Sequence, residues 1–196
     1  HNCVLLVSRF PETTTPDMLF KVFGLYGNVM RVKIFYKKRD QGLVQFELPE
    51  DAALARQCLD GCPFFGTNLK VTMSKQGPIK LPRPNDTEGH LFNKDYSDSR
   101  EHRFAKGSGR RGPRNVPPCD TLHVANLDGI VSQEHLKEAL GEVAAIIGFR
   151  FFDQNEKVAF AKFSSVDQAV SVLVLCHNKK VNGRFIKLSF ARNNVQ

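Results

Sequence analysis

The chain has 196 residues, room for one large domain or two of about 100 residues each. Hydrophobic residues make up 41% and charged residues 24%, which excludes a disordered or fibrous chain, and no apolar run approaches the ~20 residues that span a bilayer. Lys and Arg number 28 against 20 Asp and Glu; this formal charge of +8 suggests a polyanionic partner and carries no information about fold.

Read in order, the chain opens on the strand-like run Val4–Ser8 with no secretory leader, and further repeats are expected before His1. Thr15 can cap a helix with Pro16 at its first position and Asp17 in its first turn, and Leu19, Val22 and Phe23 supply an apolar stripe. Strand-like runs at 29–36 and 43–47, a helix at 50–59 and a strand at 69–74 complete a first set. A second set repeats it. Thr121–Ala125 reads as a strand, and Ser132 caps a helix with Glu134 in its first turn and Leu136, Ala139 and Leu140 as its stripe. Runs at 146–152 and 158–163 follow, then a helix at 166–177 opened by the box Ser165-Val-Asp-Gln168, and a strand at 185–191. The order βαββαβ, twice, predicts an α+β fold: two ferredoxin-like domains, each a four-stranded sheet with both helices on one face and the other face open.

The domains are expected at 1–82 and 119–196, with a linker at 83–118. That linker carries four prolines, five acids between Asp86 and Glu101, and then Arg103, Lys106, Arg110, Arg111 and Arg114 without an acid. Leu91, Phe92, Tyr96 and Phe104 are too apolar for a solvated tether, so the first half is expected to pack on a domain and the Gly/Arg half to be mobile. Five cysteines with no CxxC pair fit reduced thiols, and with six histidines they complete no zinc set. No phosphate loop, nucleophile elbow or HExxH occurs, so neither catalysis nor a cofactor or metal is expected.

Each copy carries a hexamer on its first strand, Leu5-Leu-Val-Ser-Arg-Phe10 and Leu122-His-Val-Ala-Asn-Leu127, and an octamer on its third, Arg39–Phe46 and Glu156–Phe163. This arrangement resembles the RNA-recognition motif, in which hexamer position two and octamer positions three and five meet bases on the open face. Those positions are Leu6, Gln41 and Leu43 in the first copy and His123, Val158 and Phe160 in the second, so the first lacks aromatics. Further RNA-binding candidates lie on the second strands (Lys33, Phe35 and Tyr36; Arg150 and Phe152). Others lie just past the closing strands (Lys75 and Gln76; Arg192 and Asn193). Lys and Arg suit phosphates, and Gln and Asn suit base edges. Phe35, Tyr36 and Phe152 read equally well as core aromatics.

Leu5-Leu-Val-Ser8, Tyr26-Gly-Asn-Val29, Lys94-Asp-Tyr-Ser97 with His102-Arg-Phe104, and Thr121-Leu-His-Val124 resemble the last two domains of the polypyrimidine-tract-binding protein family. Heterogeneous nuclear ribonucleoprotein L is a near relative of that family. The resemblance covers the whole chain, linker included. It implies single-stranded, CU-rich RNA as ligand, a role in pre-mRNA splicing or mRNA fate, and nuclear residence with shuttling to the cytoplasm. It also implies a monomer that engages other splicing or mRNA-regulatory proteins and no membrane. A fifth strand is implied for the first domain, and Pro78–Pro82 could supply it. Finally, it implies that the domains pack back to back through their helices, for which Phe20, Leu25, Val170 and Val174 are surplus apolar residues. Two other readings stay open: a protein-interaction module that has lost RNA binding in its first domain, and an RNA binder with CA-rich preference.

Overall fold

The computed structural model describes residues 2–105, 116–152 and 155–192. The chain divides into two units, His1–Asn115 and Val116–Gln196. The first contains β1 (Val4–Ser8), α1 (Pro16–Phe23), β2 (Val29–Phe35), β3 (Lys38–Phe46), α2 (Pro49–Leu59), the short hairpin β4 (Pro63–Phe64) and β5 (Thr67–Asn68), β6 (Lys70–Met73), α3 (Thr87–Phe92) and β7 (Asn93–Asp95). Its sheet is antiparallel in the order β6-β1-β3-β2-β7. The helix α1 begins as its sequence dictates: Thr15 Oγ1 accepts from the Met18 N–H, and Pro16, which has no N–H to satisfy, occupies the first turn. Leu5, Val7, Val32, Ile34, Val44 and Phe46 point from one side of the sheet into a core closed by Leu19, Val22 and Phe23 of α1 and Ala52, Ala55 and Leu59 of α2, all buried. Gly42 on β3 leaves room for the β2 backbone, since a Cβ there would lie 2.6 Å from the Lys33 carbonyl oxygen.

The fifth strand is present, but it is Asn93–Asp95, paired Lys33↔Asn93 and Arg31↔Asp95, and not the expected Pro78–Pro82. Pro78 and Pro82 have no N–H to give a ladder. Their segment crosses the open face as a strap instead. The Ile79 N–H donates to Gln45 Oε1 (2.8 Å), Arg31 Nη1 donates to the Ile79 carbonyl (2.9 Å), and Asn93 Nδ2 donates to the Lys80 carbonyl (2.8 Å).

Residues 83–105, read from sequence as linker, are part of the first unit. The Tyr96 ring stacks on Phe20 at 4.2 Å, so a side chain counted as surplus on α1 is covered from within its own unit. Tyr96 Oη and Lys94 Nζ both donate to Asp17, at 2.7 and 2.6 Å. Burial and the Asp17 bond push the Tyr96 phenol well above its ordinary range. Burial also disfavours the Asp17 charge, but the bonds from Lys94 and Tyr96 outweigh it and hold that carboxyl below its usual value. His102 Nε2 lies 2.9 Å from the Val29 carbonyl, and Asn28 Nδ2 donates to the Phe104 carbonyl at 3.1 Å. Lys106, Arg110, Arg111 and Arg114 lie outside the described residues.

The second unit contains β8 (Thr121–Ala125), α4 (Gln133–Gly141), β9 (Gly148–Phe152), β10 (Asn155–Lys162), α5 (Val166–Cys176), the hairpin β11 (Lys180–Val181) and β12 (Arg184–Phe185), and β13 (Lys187–Phe190). Its sheet runs β13-β8-β10-β9. Ser132 and Ser165 cap the two helices by accepting from the His135 and Gln168 N–H groups, both at 3.2 Å. Leu122, Val124, Ala159, Ala161 and Leu188 form the buried side of the sheet with Leu136 and Leu140 of α4 and Ala169 and Leu173 of α5. No disulfide joins the five cysteines. Among the described residues no His, Cys, Asp and Glu group could hold a metal ion, and no helix is long and apolar enough to cross a membrane.

Candidate nucleic-acid interface

In each unit the helices cover one side of the sheet, so strand alternation decides which side chains reach the other. In the second unit the register aligns His123, Phe160 and Arg150 in one row across β8, β10 and β9. The His123 and Phe160 rings meet edge to face at 5.4 Å, and Phe152 lies 6.1 Å from Phe160. Arg150 Cζ stands 4.9 Å over the Phe160 ring, within cation–π range. Val158 follows on β10, half-buried opposite Ala125. Phe152 is 47% exposed, so it is a surface ring and not a core one. Burial lowers the His123 pKa, which keeps the imidazole neutral and suited to stacking. Arg192 is exposed just past β13, and Asn193 lies outside the described residues.

The corresponding row of the first unit is Leu6, Leu43, Lys33 and Asn93 across β1, β3, β2 and β7. Here the strap intervenes. Ile79 packs with Val4 and Leu43 into an apolar cluster on the supposedly open face, with Leu6 and Phe35 partly buried against it. Leu43 is only 3% exposed, so the expectation that it presents a contact surface is corrected: Ile79 already occupies that surface. Gln41, opposite Ser8, lies past the cluster and stays half-exposed. Tyr36 is 60% exposed in the β2–β3 turn, its ring 6.3 Å from Phe92 of α3. Arg39 bridges both rings, with Cζ at 4.2 Å from Phe92 and 5.5 Å from Tyr36. Lys75 and Gln76 are exposed beyond β6, where the Gln76 N–H donates to Ser74 Oγ.

Sequence reasoning missed Ile79, Phe92 and Asn93 as residues of this face. The available signal was Ile79 itself, an apolar side chain between Pro78 and Pro82 with no strand or helix to bury it.

Family models of the RNA-recognition motif (also called RRM, RBD or RNP domain) match residues 1–99 and 122–187. The chain belongs to the RNA-recognition-motif family. These domains are RNA-binding modules and not enzymes. Polypyrimidine tract-binding protein homolog 3 of Arabidopsis thaliana is 31% identical over 193 residues, covering 97% of this chain and 43% of that protein. The flowering time control protein FPA of the same plant is 24% identical over 98% of this chain and 16% of its own length. The chain therefore spans less than half the length of either relative. Among solved structures, the RNA recognition domains 1 and 2 of Sex-lethal from Drosophila melanogaster align over 97% of this chain and 100% of theirs, at 18% identity and a TM-score of 0.36.

Proposed function

We propose that this chain binds single-stranded, pyrimidine-rich RNA and serves pre-mRNA splicing or mRNA fate in the nucleus. The observation that carries this reading is the row of His123, Phe160 and Arg150 on the sheet face away from the helices, with the exposed Phe152 ring beside Phe160. Flat rings on a sheet stack bases, each worth ~1–3 kcal/mol, and a guanidinium over the ring either shelves a further base or swings to a phosphate. On the second unit Arg192 adds positive charge for a phosphate; on the first, separately, Lys75 does so while Gln41 and Gln76 offer amides to base edges. The name of the Arabidopsis relative, a polypyrimidine tract-binding protein homolog, supports pyrimidines as the preferred bases.

A second reading has one observation in its favour. Ile79 covers the centre of the first sheet, which suits a face that has exchanged RNA for apolar contact. Fluorescence anisotropy with labelled CU-rich, CA-rich and A-rich RNAs over a salt series separates these readings. Tighter CU binding that persists at physiological salt supports the proposal, and tighter CA binding moves the preference. Equal binding to all three that vanishes with salt would reduce RNA contact to a basic surface.

A further inference from the structure

The strands β2 and β9 hold the same place in their sheets, each beside the strand that carries the octamer. Their registers match. Val32, Lys33 and Ile34 stand opposite Val44, Leu43 and Gly42, octamer positions six, five and four; Phe149, Arg150 and Phe151 stand opposite Ala161, Phe160 and Ala159, the same positions of the second copy. The outer side of β2 is taken by Asn93–Asp95, and Val32 and Ile34 are buried. Asp95 lies opposite Arg31 with Oδ2 3.3 Å from its Nε, so an acid on the added strand answers an arginine on the strand that receives it. On β9 no strand takes that outer side among the described residues.

An edge strand leaves every second N–H and C=O without a ladder partner, and sheets blunt such edges with prolines, charges or very short strands. Gly148-Phe-Arg-Phe-Phe152 is five residues long and has no proline, and its one charge, Arg150, lies over the Phe160 ring on the open face. Phe149 and Phe151, rings 5.1 Å apart, point to the helix side and stay half-buried where Val32 and Ile34 are buried; Ile147 just before them is 62% exposed. Addition of an extended segment satisfies such an edge: main-chain bonds supply affinity and alternate side chains supply selectivity. The residue set opposite Arg150 would lie on the open face beside a guanidinium, which suits an acid. Its two neighbours would point to the helix side against Phe149 and Phe151, which suits apolar side chains. A second copy fits less well, because pairing centred on Arg150 sets two arginines opposite each other and the chain already carries a formal charge of +8. We propose that the β9 edge of the second unit is a docking site for an extended segment of a partner protein, alternating acidic and apolar residues, which adds to the sheet as an antiparallel fifth strand.

The test is an amide NMR titration of the 196-residue chain with a synthetic peptide that alternates four valines and three aspartates. Expected are shifts and slowed hydrogen exchange at Phe149–Phe152, while the amides of β13 at the opposite edge stay still. A strand presents its N–H groups alternately to its two sides, so N-methylation of either the valines or the aspartates should abolish binding and N-methylation of the other set should spare it. A peptide alternating valine and lysine should bind about tenfold more weakly, and Arg150→Glu, a change at an exposed side chain, should reverse that preference. The proposal is overturned if the β9 amides do not respond, if both N-methylated peptides bind alike, or if the charge preference survives Arg150→Glu. Concentration-dependent dimerisation of the peptide-free chain that shifts the β9 amides would make the occupant a second copy. Slowed exchange of the same amides with the RNA hexamer CUCUCU would make it RNA, and either result overturns the protein partner.

Discussion

The two sheets share a topology and differ in what stands on the exposed side. At the central row the second unit presents His123, Phe160 and Arg150, with the two rings half-buried against each other and Arg150 exposed over Phe160. The first presents Leu6, Leu43 and Lys33, and Ile79 lies over the leucines. The difference follows from side-chain chemistry. Rings with a polar edge or a neighbouring cation can remain at a water boundary, while a leucine pair there gains by being covered. Where the first sheet carries leucines in place of rings, the chain's own strap covers the apolar surface.

Several substitutions can break or sharpen this contrast. The largest effect is expected from Ile79→Ala, which should destabilise the first unit by about 2 kcal/mol, the low end for a buried isoleucine because the cluster lies near the surface. Chemical denaturation measures it. Unchanged stability together with lost RNA affinity would make Ile79 an RNA contact, and the strap would no longer be a cover. Phe160→Ala should weaken RNA binding by ~1–2 kcal/mol, about a base-stack increment, and clearly more than Leu6→Ala does. Equal losses measured by anisotropy would remove the distinction between the two faces. Arg150→Ala should flatten the dependence of log affinity on log salt by about one unit if its guanidinium reaches a phosphate. A change in affinity at constant slope would leave it as a stacking residue only.

The smallest effect concerns pH. The folded pKa of His123 is depressed by burial, so the unfolded chain takes up that proton first as pH falls. Stability from this group is full above the unfolded value of about 6.5 and declines as pH drops below it. The melting temperature of the second unit should therefore fall slightly more between pH 7.5 and 5.5 in the wild type than in His123→Phe. Equal falls in the two proteins would assign the pH response to other groups.

Much of the fold was legible in order. The caps at Thr15, Ser132 and Ser165, the alternation on β1 and β8 and the doubled βαββαβ series all depend on neighbours within a few residues, so local chemistry reveals them. The face of the second sheet was legible for the same reason, because alternation alone brings His123, Phe160 and Arg150 to one side. Strand phase also put Lys33 beside Leu43, but could not decide whether Phe152 was core or surface; its position at the edge of β9 left it exposed.

What local chemistry could not decide was where Gln76–Asp95 would go. The segment expected to extend the sheet was Pro78–Pro82. Pro78–Pro82 has no N–H at either end to give a ladder, and Asn93–Asp95 took the edge while Pro78–Pro82 crossed the face. That choice joins residues 34 to 64 positions apart, through the Ile79–Gln45 bond and the Arg31–Asp95 and Lys33–Asn93 pairs, and no window of neighbouring residues contains it. The sequence by itself determined two RNA-recognition units and the aromatic face of the second. Only the tertiary structure decided that Leu43 is buried, that Tyr96 covers Phe20, and that Tyr36, Phe92 and Asn93 enclose a cavity. In each case the partner that completes the contact is remote in the chain, and it is burial of apolar surface that brings it there.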